Sequence, residues 1–160
     1  MSTIDVRGAM GRFATGVTVV STRDEDGAPL GTTASAVASV SLDPPLVLVC
    51  LAHSSRTLAA LRRHEAFALN VLGAEQGELA LAFAQPGPCE GWGEGPPPIA
   101  RTGAPLLAEA IATLDCAVHE IVPGGDHAIV LGHVLHTGVP EESREPLVTF
   151  QSRLEPLPVA

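Results

Sequence analysis

Runs of β-branched and apolar residues, separated by short polar turns, recur along the chain and predict a protein made mainly of strands. Residues 17–22 are rich in valine and threonine and predict a strand. The sequence Asp24-Glu25-Asp26-Gly27 predicts the tight turn of a hairpin, whose return strand starts near Ala28. The further predicted strands are residues 46–51, 67–72, 112–122, 127–137 and 147–154. The continuously apolar residues 46–51 are expected to be buried on both faces.

Helical patterns are fewer and lie mostly between the predicted strands. A short N-terminal helix is predicted from Thr3 to Phe13, and Gly16 ends it. A second helix follows Thr57, because apolar residues then recur at helical spacing. A third covers residues 75–83, with one apolar face formed by Leu79, Ala82 and Phe83. The dominance of strands and short turns favours a closed or nearly closed antiparallel barrel with a few peripheral helices.

Residues 85–98 form a glycine- and proline-rich loop that contains the only tryptophan, Trp92. The loop is long for a compact domain, which indicates a functional or mobile segment. The chain has no strict alternation of strands and helices and no G-x-G-x-x-G sequence. A doubly wound dinucleotide-binding fold is therefore not expected.

The composition limits the possible partners. The 160 residues suit one domain, and the net charge is −9, with arginine supplying all nine positive charges. No basic cluster is visible, so binding to nucleic acid is not expected. No apolar run is long enough to span a bilayer and the start lacks a secretory signal, so a cytoplasmic protein without membrane contact is expected. Three cysteines without C-x-x-C spacing, and histidines without ligand spacing, predict no metal site.

Residues 31–50 carry the most informative pattern of the chain. The segment is small and hydroxylated at first, turns at Asp43-Pro44-Pro45, and is then continuously apolar. Small residues let a flat molecule lie against the backbone, while N–H groups and short hydroxyls remain as donors. A flavin ring with its ribityl phosphate needs such surroundings. The alternative interpretation is two plain sheet strands joined by a Pro-Pro turn. The composition of the segment, taken alone, favours this alternative over a flavin site.

The hydroxyl-rich turn Ser54-Ser55-Arg56-Thr57 precedes the second predicted helix. Free N–H groups and the helix dipole favour a phosphate at such a position, and Arg56 adds a charged fork. The alternative is plain helix capping by one of the hydroxyls. The two interpretations are compatible, because a cap site is also an anion site.

Several segments occur in an order that resembles the short-chain flavin reductases, the small components of two-component monooxygenases. The matching segments are residues 10–20, 31–45, 67–72, 103–106, 114–116 and 125–129. The resemblance implies a mainly β fold, the FMN-binding split β-barrel of Greek-key type with a few peripheral helices. It also implies a homodimer that binds FMN or FAD, uses NADH or NADPH, and supplies reduced flavin to a partner monooxygenase. Residues 1–155 would form this domain and residues 156–160 a loose tail.

The resemblance implies roles for individual residues. The cradle of the flavin ring and ribityl chain is expected at Thr32, Thr33, Ala34, Ser35, Ala36, Val37 and Ser39, with Cys50 and Leu51 from the next strand. The phosphate is expected at Ser54, Arg56 and Thr57. His127, in the sequence Gly-Asp-His, is the catalytic candidate beside the nicotinamide, and Asp126 orients it or completes the turn. Phe150 and Arg153 are expected to help shape the cofactor site.

Some positions depart from the family pattern. The family often has methionine or another bulky residue where this chain has Thr32, and phenylalanine where it has Val37. Its C-terminal strand commonly reads Tyr-Phe-Arg-Gly-x-Tyr, whereas residues 149–154 read Thr-Phe-Gln-Ser-Arg-Leu and the chain has no tyrosine. These departures keep two alternatives open. One is a flavin-binding protein of the same fold that does not reduce flavin, as a carrier or auxiliary, and the other is a split-barrel binder of another planar cofactor such as a deazaflavin or haem.

Overall fold

Antiparallel strands dominate the computed structural model, which describes residues 4–158. The strands are β1 (Thr15–Gly16), β2 (Thr18–Arg23), β3 (Pro29–Ala34), β4 (Val37–Leu42), β5 (Pro45–Ala52), β6 (Ala66–Val71), β7 (Ala112–Gly124), β8 (His127–Gly138), β9 (Leu147–Phe150) and β10 (Arg153–Pro156). The helices are α1 (Val6–Met10), α2 (Arg56–His64) and α3 (Gly77–Ala84), and a 3₁₀ turn (Ala74–Gln76) precedes α3. No helix in residues 4–158 has the length and apolar character needed to cross a membrane.

Seven strands form one antiparallel sheet in the order β3-β2-β6-β7-β8-β5-β4. The two edge strands, β3 and β4, follow each other in the chain, and only Ser35 and Ala36 connect them. Because three Cα steps reach about 10 Å at most, both edges lie side by side at this point. The sheet therefore curls into a nearly closed barrel, with a seam where β3 gives way to β4. The predicted mainly β fold with few helices is confirmed.

Two apolar clusters fill the structure, one on each side of β2. Val20 points into the barrel, where it meets residues such as Val49, Phe67 and Val130, together with α2. Val19 points outward into the second cluster, which includes Phe83 of α3. Successive side chains of a strand point to opposite faces, so β2 serves both clusters.

Gly132 of β8 marks the tightest packing of the barrel interior. A Cβ at this position would overlap the ring of Phe67 and crowd Cys116. The lack of a side chain at Gly132 is therefore what admits the Phe67 ring.

Residues 147–154 form two strands, whereas the sequence predicts one. β9 and β10 pair as a hairpin next to β1, in a separate three-stranded sheet. Gln151 and Ser152 connect them with φ angles of 50° and 62°. Two positive φ angles are typical of the tightest hairpin turn, which usually contains asparagine or glycine. Neither residue type occurs here, so the sequence carries no signal for the turn.

Two predicted burial patterns are also wrong. In β5, Val47, Val49 and Leu51 are buried, but the alternate residues on the outer face are only half-buried. In α3, Ala80 and Phe83 are buried while Ala82 is exposed, so the apolar face is rotated from the predicted one. The N-terminal helix α1 covers only Val6–Met10, with Asp5 as its N-cap, and its predicted start at Thr3 lies outside the described residues.

Candidate functional site

A cavity of about 290 Å³ opens at the seam between β3 and β4. We call it the seam cavity, and its lining residues are Thr32, Thr33, Ala34, Ser35, Ala36, Cys50, Leu51, Ala52, Ser55 and His127. The side chains from β3 and the connection are small, so a flat molecule has access to the backbone. The register of β5 and β8 pairs Ala52 with His127, which brings the histidine to the same cavity.

Thr33 contributes to the seam cavity while its side chain is used elsewhere. It pairs with Val19 in the sheet, so both side chains point away from the barrel interior. Its Oγ1 donates a hydrogen bond of 2.6 Å to the carbonyl of Ala80 in α3. The hydroxyl of Thr33 therefore holds α3 against β3. This side chain is structural, and Thr32 is the neighbouring threonine that reaches both cavities of the site.

A second cavity, of about 330 Å³, adjoins the seam cavity. We call it the helix cavity, because its lining includes the start of α2: Leu30, Gly31, Thr32, Ala52, Ser54, Ser55, Arg56, Thr57, Ala84, Gln85, Pro86 and Gly87. The two cavities share Thr32, Ala52 and Ser55. A ligand with a flat ring in the seam cavity can therefore continue directly into the helix cavity.

The N-terminus of α2 supplies anion-binding groups to the helix cavity. Ser55 is the N-cap, and its Oγ accepts a hydrogen bond of 3.3 Å from the N–H of Leu58. Within residues 4–158, the N–H groups of Arg56 and Thr57 have no hydrogen-bond acceptor. Nor does the Arg56 guanidinium form a salt bridge in this part of the chain. The helix dipole, two N–H groups and one guanidinium together form a site suited to a phosphate.

His127 is held by its neighbour at the rim of the seam cavity. The N–H of His53 donates to the carbonyl of Asp126 over 3.1 Å, which fixes the turn. The His127 Nδ1 lies 2.7 Å from the Asp126 Oδ1. The hydrogen bond and the charge of His127 lower the pKa of the exposed Asp126 carboxyl. An ionised carboxylate only accepts, so Nδ1 of His127 carries the donated hydrogen and Nε2 is left for a ligand.

Comparison with known families identifies the chain. The family described as "Flavin reductase like domain" matches residues 10–158. The chain belongs to this family. A "Probable flavin reductase" of Rhizobium meliloti is 42% identical over 133 residues, which are 81% of this chain and 41% of the relative. This chain thus spans less than half the length of that relative.

Other members of the flavin reductase family are similar over more of their length. The reductase component of a 4-nitrophenol 4-monooxygenase/4-nitrocatechol 2-monooxygenase from Rhodococcus opacus is 42% identical over 134 residues, covering 82% of this chain and 69% of the relative. The Streptomyces globisporus NADH:FAD oxidoreductase SgcE6, whose structure was solved in complex with NAD and FAD fragments, is 36% identical in sequence. It superposes with a TM-score of 0.85 over 94% of this chain and 89% of that chain.

The structure brings most of the predicted site residues together. The residues that line one or both cavities are Thr32, Thr33, Ala34, Ser35, Ala36, Cys50, Leu51, Ser54, Arg56, Thr57 and His127. Asp126 contacts His127. Besides Asp126, four predicted residues line neither cavity: Val37, Ser39, Phe150 and Arg153. Val37 packs against the barrel core, Ser39 is exposed on β4, and the last two flank the β9–β10 turn.

The prediction omitted residues that the structure adds to the site. Ser55 and Ala52 line both cavities, and the segment 84–87 after α3 lines the helix cavity. Ser55 had a signal, since it is the hydroxyl residue directly before the helix and so a natural N-cap. The segment 84–87 carried no sequence signal, because it reaches the helix cavity only through the packing of α3 on β3.

The lining residues fit a flavin. The short side chains of Ala34, Ser35 and Ala36 leave a wall against which a flat ring can lie. Thr32 and Ser54 supply hydroxyls at the passage into the helix cavity and within it. Arg56 and the α2 N-terminus supply positive charge to the helix cavity, where they would hold the ribityl phosphate. A ring, a polar chain and a phosphate thus each meet matching groups, in the correct order.

We predict that bound FMN protects one cysteine from alkylation. Cys50 lines the seam cavity, Cys89 is half-buried in the loop after α3, and Cys116 is buried. Burial, together with the adjacent Asp115 carboxylate, raises the pKa of the Cys116 thiol to about 12. At about pH 8, iodoacetamide should modify Cys50 in the native protein and leave Cys116 intact. Saturating FMN should slow the modification of Cys50 about tenfold or more by covering it.

Peptide mass spectrometry after timed alkylation measures the three cysteines separately. Cys89 is the internal control, because its labelling rate should be the same with and without FMN. In denaturant all three should react. Equal labelling of Cys50 at zero and saturating FMN would place the flavin outside the seam cavity.

Proposed function

We propose that this protein is an oxidoreductase that uses NADH or NADPH to reduce FMN or FAD, and that the reduced flavin passes to a partner monooxygenase. The observation that carries the proposal is the pair of adjoining cavities, one walled by small residues and one closed by the N-terminus of α2 and Arg56. The names of the relatives support the activity and the partner, since one is the reductase component of a monooxygenase and another an NADH:FAD oxidoreductase.

A sparse set of ionisable residues suits this reaction. A bound flavin supplies the hydride-accepting chemistry, and the protein's task is to bind and orient the two reactants. The backbone and short side chains of residues 34–36 set the position of the ring. Arg56 and the α2 N-terminus hold the phosphate. His127 lines the seam cavity with its Nδ1 engaged by Asp126, so its Nε2 would be available to hydrogen-bond a nicotinamide beside a bound flavin.

We expect His127→Ala to weaken the use of the nicotinamide and to spare flavin binding. The kcat/KM for NADH should fall about tenfold, since one positioned hydrogen bond is lost. The Kd for FMN, measured by titration calorimetry, should stay within about twofold because the phosphate and ring contacts remain. Asp126→Asn should lower kcat/KM by a smaller factor, because the imidazole remains but loses its ionic partner.

His136 provides the matched control for this prediction. It lies on the same strand, β8, and is exposed without lining either cavity. His136→Ala should leave both kcat/KM and the FMN Kd unchanged. If the His127→Ala variant kept the wild-type kcat/KM for NADH, the proposed role of His127 at the nicotinamide would be contradicted.

A flavin-binding protein without reductase activity is the second candidate function. It is favoured by the positions of Phe150 and Arg153, which flank the β9–β10 turn and contribute to neither cavity. On this view the seam and helix cavities hold a flavin, while the surface that would receive the nicotinamide is incomplete.

Anaerobic turnover with free flavin separates the two functions. Oxidation of NADH and NADPH is followed by the loss of nicotinamide absorbance, with FMN or FAD added in turn. Oxidation that depends on protein and flavin together establishes the reductase and identifies its nucleotide. Flavin binding by calorimetry, without oxidation above the background of free flavin, establishes the second function. If the protein neither binds flavin nor oxidises the nicotinamide, both candidate functions are contradicted.

We also propose that the protein forms a homodimer. Leu46 and Leu48 on the outer face of β5 are only half-buried, and the exposed side chain of Leu135 lies on the same face of the neighbouring strand β8. Such a surface gains stability when a second copy covers it. Light scattering at micromolar concentration tests the state, and a monomer would contradict the proposal.

A further inference from the structure

A third cavity lies beyond Arg56 and continues the row formed by the seam and helix cavities. It has a volume of about 280 Å³, and we call it the hairpin cavity because the β2–β3 turn forms one wall. Its lining residues are Asp24, Glu25, Asp26, Leu30, Arg56, Ala59 and Arg63. Leu30 and Arg56 also line the helix cavity, so the two cavities meet at these side chains.

We propose that the hairpin cavity binds the adenosine half of FAD and makes FAD the preferred flavin of this protein. The inference rests on the proposed flavin binding in the seam and helix cavities. FMN ends at its phosphate, which the helix cavity holds next to Arg56. FAD continues from that phosphate through a second phosphate to adenosine. Arg56 lines the helix cavity and the hairpin cavity but not the seam cavity. Among the three cavities, the hairpin cavity is therefore the one into which FAD can continue beyond Arg56.

Two arginines suit the pyrophosphate at the entrance. Arg56 and Arg63 both line the hairpin cavity, and they lie two turns apart on α2. Arg63 Nη2 lies 3.2 Å from Glu25 Oε1, in an ion pair whose two side chains are both exposed. An exposed pair of this kind is weak, so the guanidinium can turn to a phosphate at little cost. FMN has no second phosphate and does not reach Arg63.

The acidic turn suits the donors of adenosine. Asp24 is engaged within the turn, since its Oδ1 accepts from the N–H groups of Asp26 and Ala28 at 3.0 and 2.8 Å. Within residues 4–158, the carboxylate of Asp26 has no hydrogen-bond partner. Ribose hydroxyls and the adenine amine are donors, and a carboxylate accepts from both. Leu30 offers an apolar surface for the adenine ring.

NADH carries the same adenosine diphosphate group and is the alternative occupant. The order of the cavities favours FAD, because one molecule of FAD can fill all three of them in sequence. NADH would have to place its adenosine in the hairpin cavity while its nicotinamide reached the flavin ring past an occupied helix cavity. Separate measurements of flavin affinity and of the KM for NADH distinguish the two occupants.

Titration calorimetry of the wild type and three variants tests the inference. The wild type should bind FAD about fivefold or more tightly than FMN. Arg63→Ala and Asp26→Asn should each lose most of this difference while the FMN Kd stays within about twofold. Arg62→Ala is the matched control, since Arg62 is the exposed neighbour of Arg63 on α2 and does not line the hairpin cavity. It should change neither Kd.

Each result decides the inference. Equal wild-type affinities for FMN and FAD would overturn it while leaving the proposed flavin binding intact. Equal losses of both affinities in Arg63→Ala would overturn it as well. A raised KM for NADH in Arg63→Ala, with FMN as acceptor and an unchanged FAD Kd, would assign the cavity to NADH. No binding of either flavin to the wild type would overturn the inference together with the proposed function.

Discussion

Replacement of Asn70 by alanine should lower the free energy of unfolding by about 3–4 kcal/mol. The Asn70 side chain on β6 is fully buried. Its Nδ2 donates to the carbonyl of Val19 at 3.0 Å and to the Oγ of Ser21 at 2.9 Å, and its Oδ1 accepts from the N–H of Leu107 at 2.9 Å. Alanine would leave the N–H of Leu107 without a partner inside the protein and create a void where the amide was.

The same amide joins segments that are distant in sequence. Asn70 connects β6 to β2 on one side and, through the N–H of Leu107, to residues 105–107 on the other. Ser21 Oγ adds a second link to these residues, since it donates to the carbonyl of Pro105 at 2.5 Å. Removal of the Asn70 amide should therefore loosen residues 105–107 as well as the pairing of β2 with β6. Networks of this kind lose more than one bond when a central member is removed.

Urea unfolding measures the effect as a lower midpoint with an unchanged slope. Ser39→Ala is the control, since Ser39 is exposed on β4, and its midpoint should stay that of the wild type. A double-mutant cycle with Ser21→Ala should show coupling, because the two side chains share a hydrogen bond. A loss below about 1 kcal/mol in Asn70→Ala would mean that water replaces the amide at this position.

The sequence was sufficient for elements whose signal is local. The β2–β3 hairpin is the clearest case, since the Asp24 carboxylate fixes the turn through two N–H groups within four residues of it. The predicted strands follow in the same way from runs of β-branched and apolar residues. A local pattern is enough where the hydrogen bonds and the side chains that set the conformation lie in the same short segment.

Elements set by distant contacts could not be predicted in this way. The outer face of β5 is apolar in sequence, yet whether it is buried depends on what packs over it. The side-chain role of Thr33 follows from the position of α3, whose carbonyl at Ala80 accepts its hydroxyl. The addition of residues 84–87 to the helix cavity depends on the same helix. Each result requires knowledge of the packing, which no local pattern contains.

Most of the candidate site was nevertheless predictable, because two continuous segments contribute most of it. Residues 32–36 and 54–57 each enter a cavity as a unit, at the end of a strand and the start of a helix. Residues 150 and 153 were predicted from the resemblance alone, and in the structure they flank a turn of the other sheet. The residue types within one segment can be read from the sequence, whereas the position of the separate β9–β10 hairpin relative to the cavities cannot.

Arg56→Ala should weaken the binding of FMN about 30-fold. Arg56 lines the helix cavity beside two N–H groups of α2 that have no acceptor within residues 4–158. Its guanidinium forms no salt bridge in that part of the chain, so no carboxylate has to be displaced before it meets a phosphate. Charge-assisted hydrogen bonds to a phosphate are the strongest contacts that this site can offer.

Riboflavin, which lacks the phosphate, separates the charge of Arg56 from its shape. Its Kd should be the same for Arg56→Ala and the wild type, whereas the FMN Kd should rise. Arg56→Lys should restore part of the FMN affinity, because the charge returns without the planar fork. Rising salt should weaken FMN binding to the wild type more than to Arg56→Ala, since screening acts on the lost charge pair. Equal losses for riboflavin and FMN would instead show that Arg56 only shapes the cavity, and the phosphate would then have to bind elsewhere.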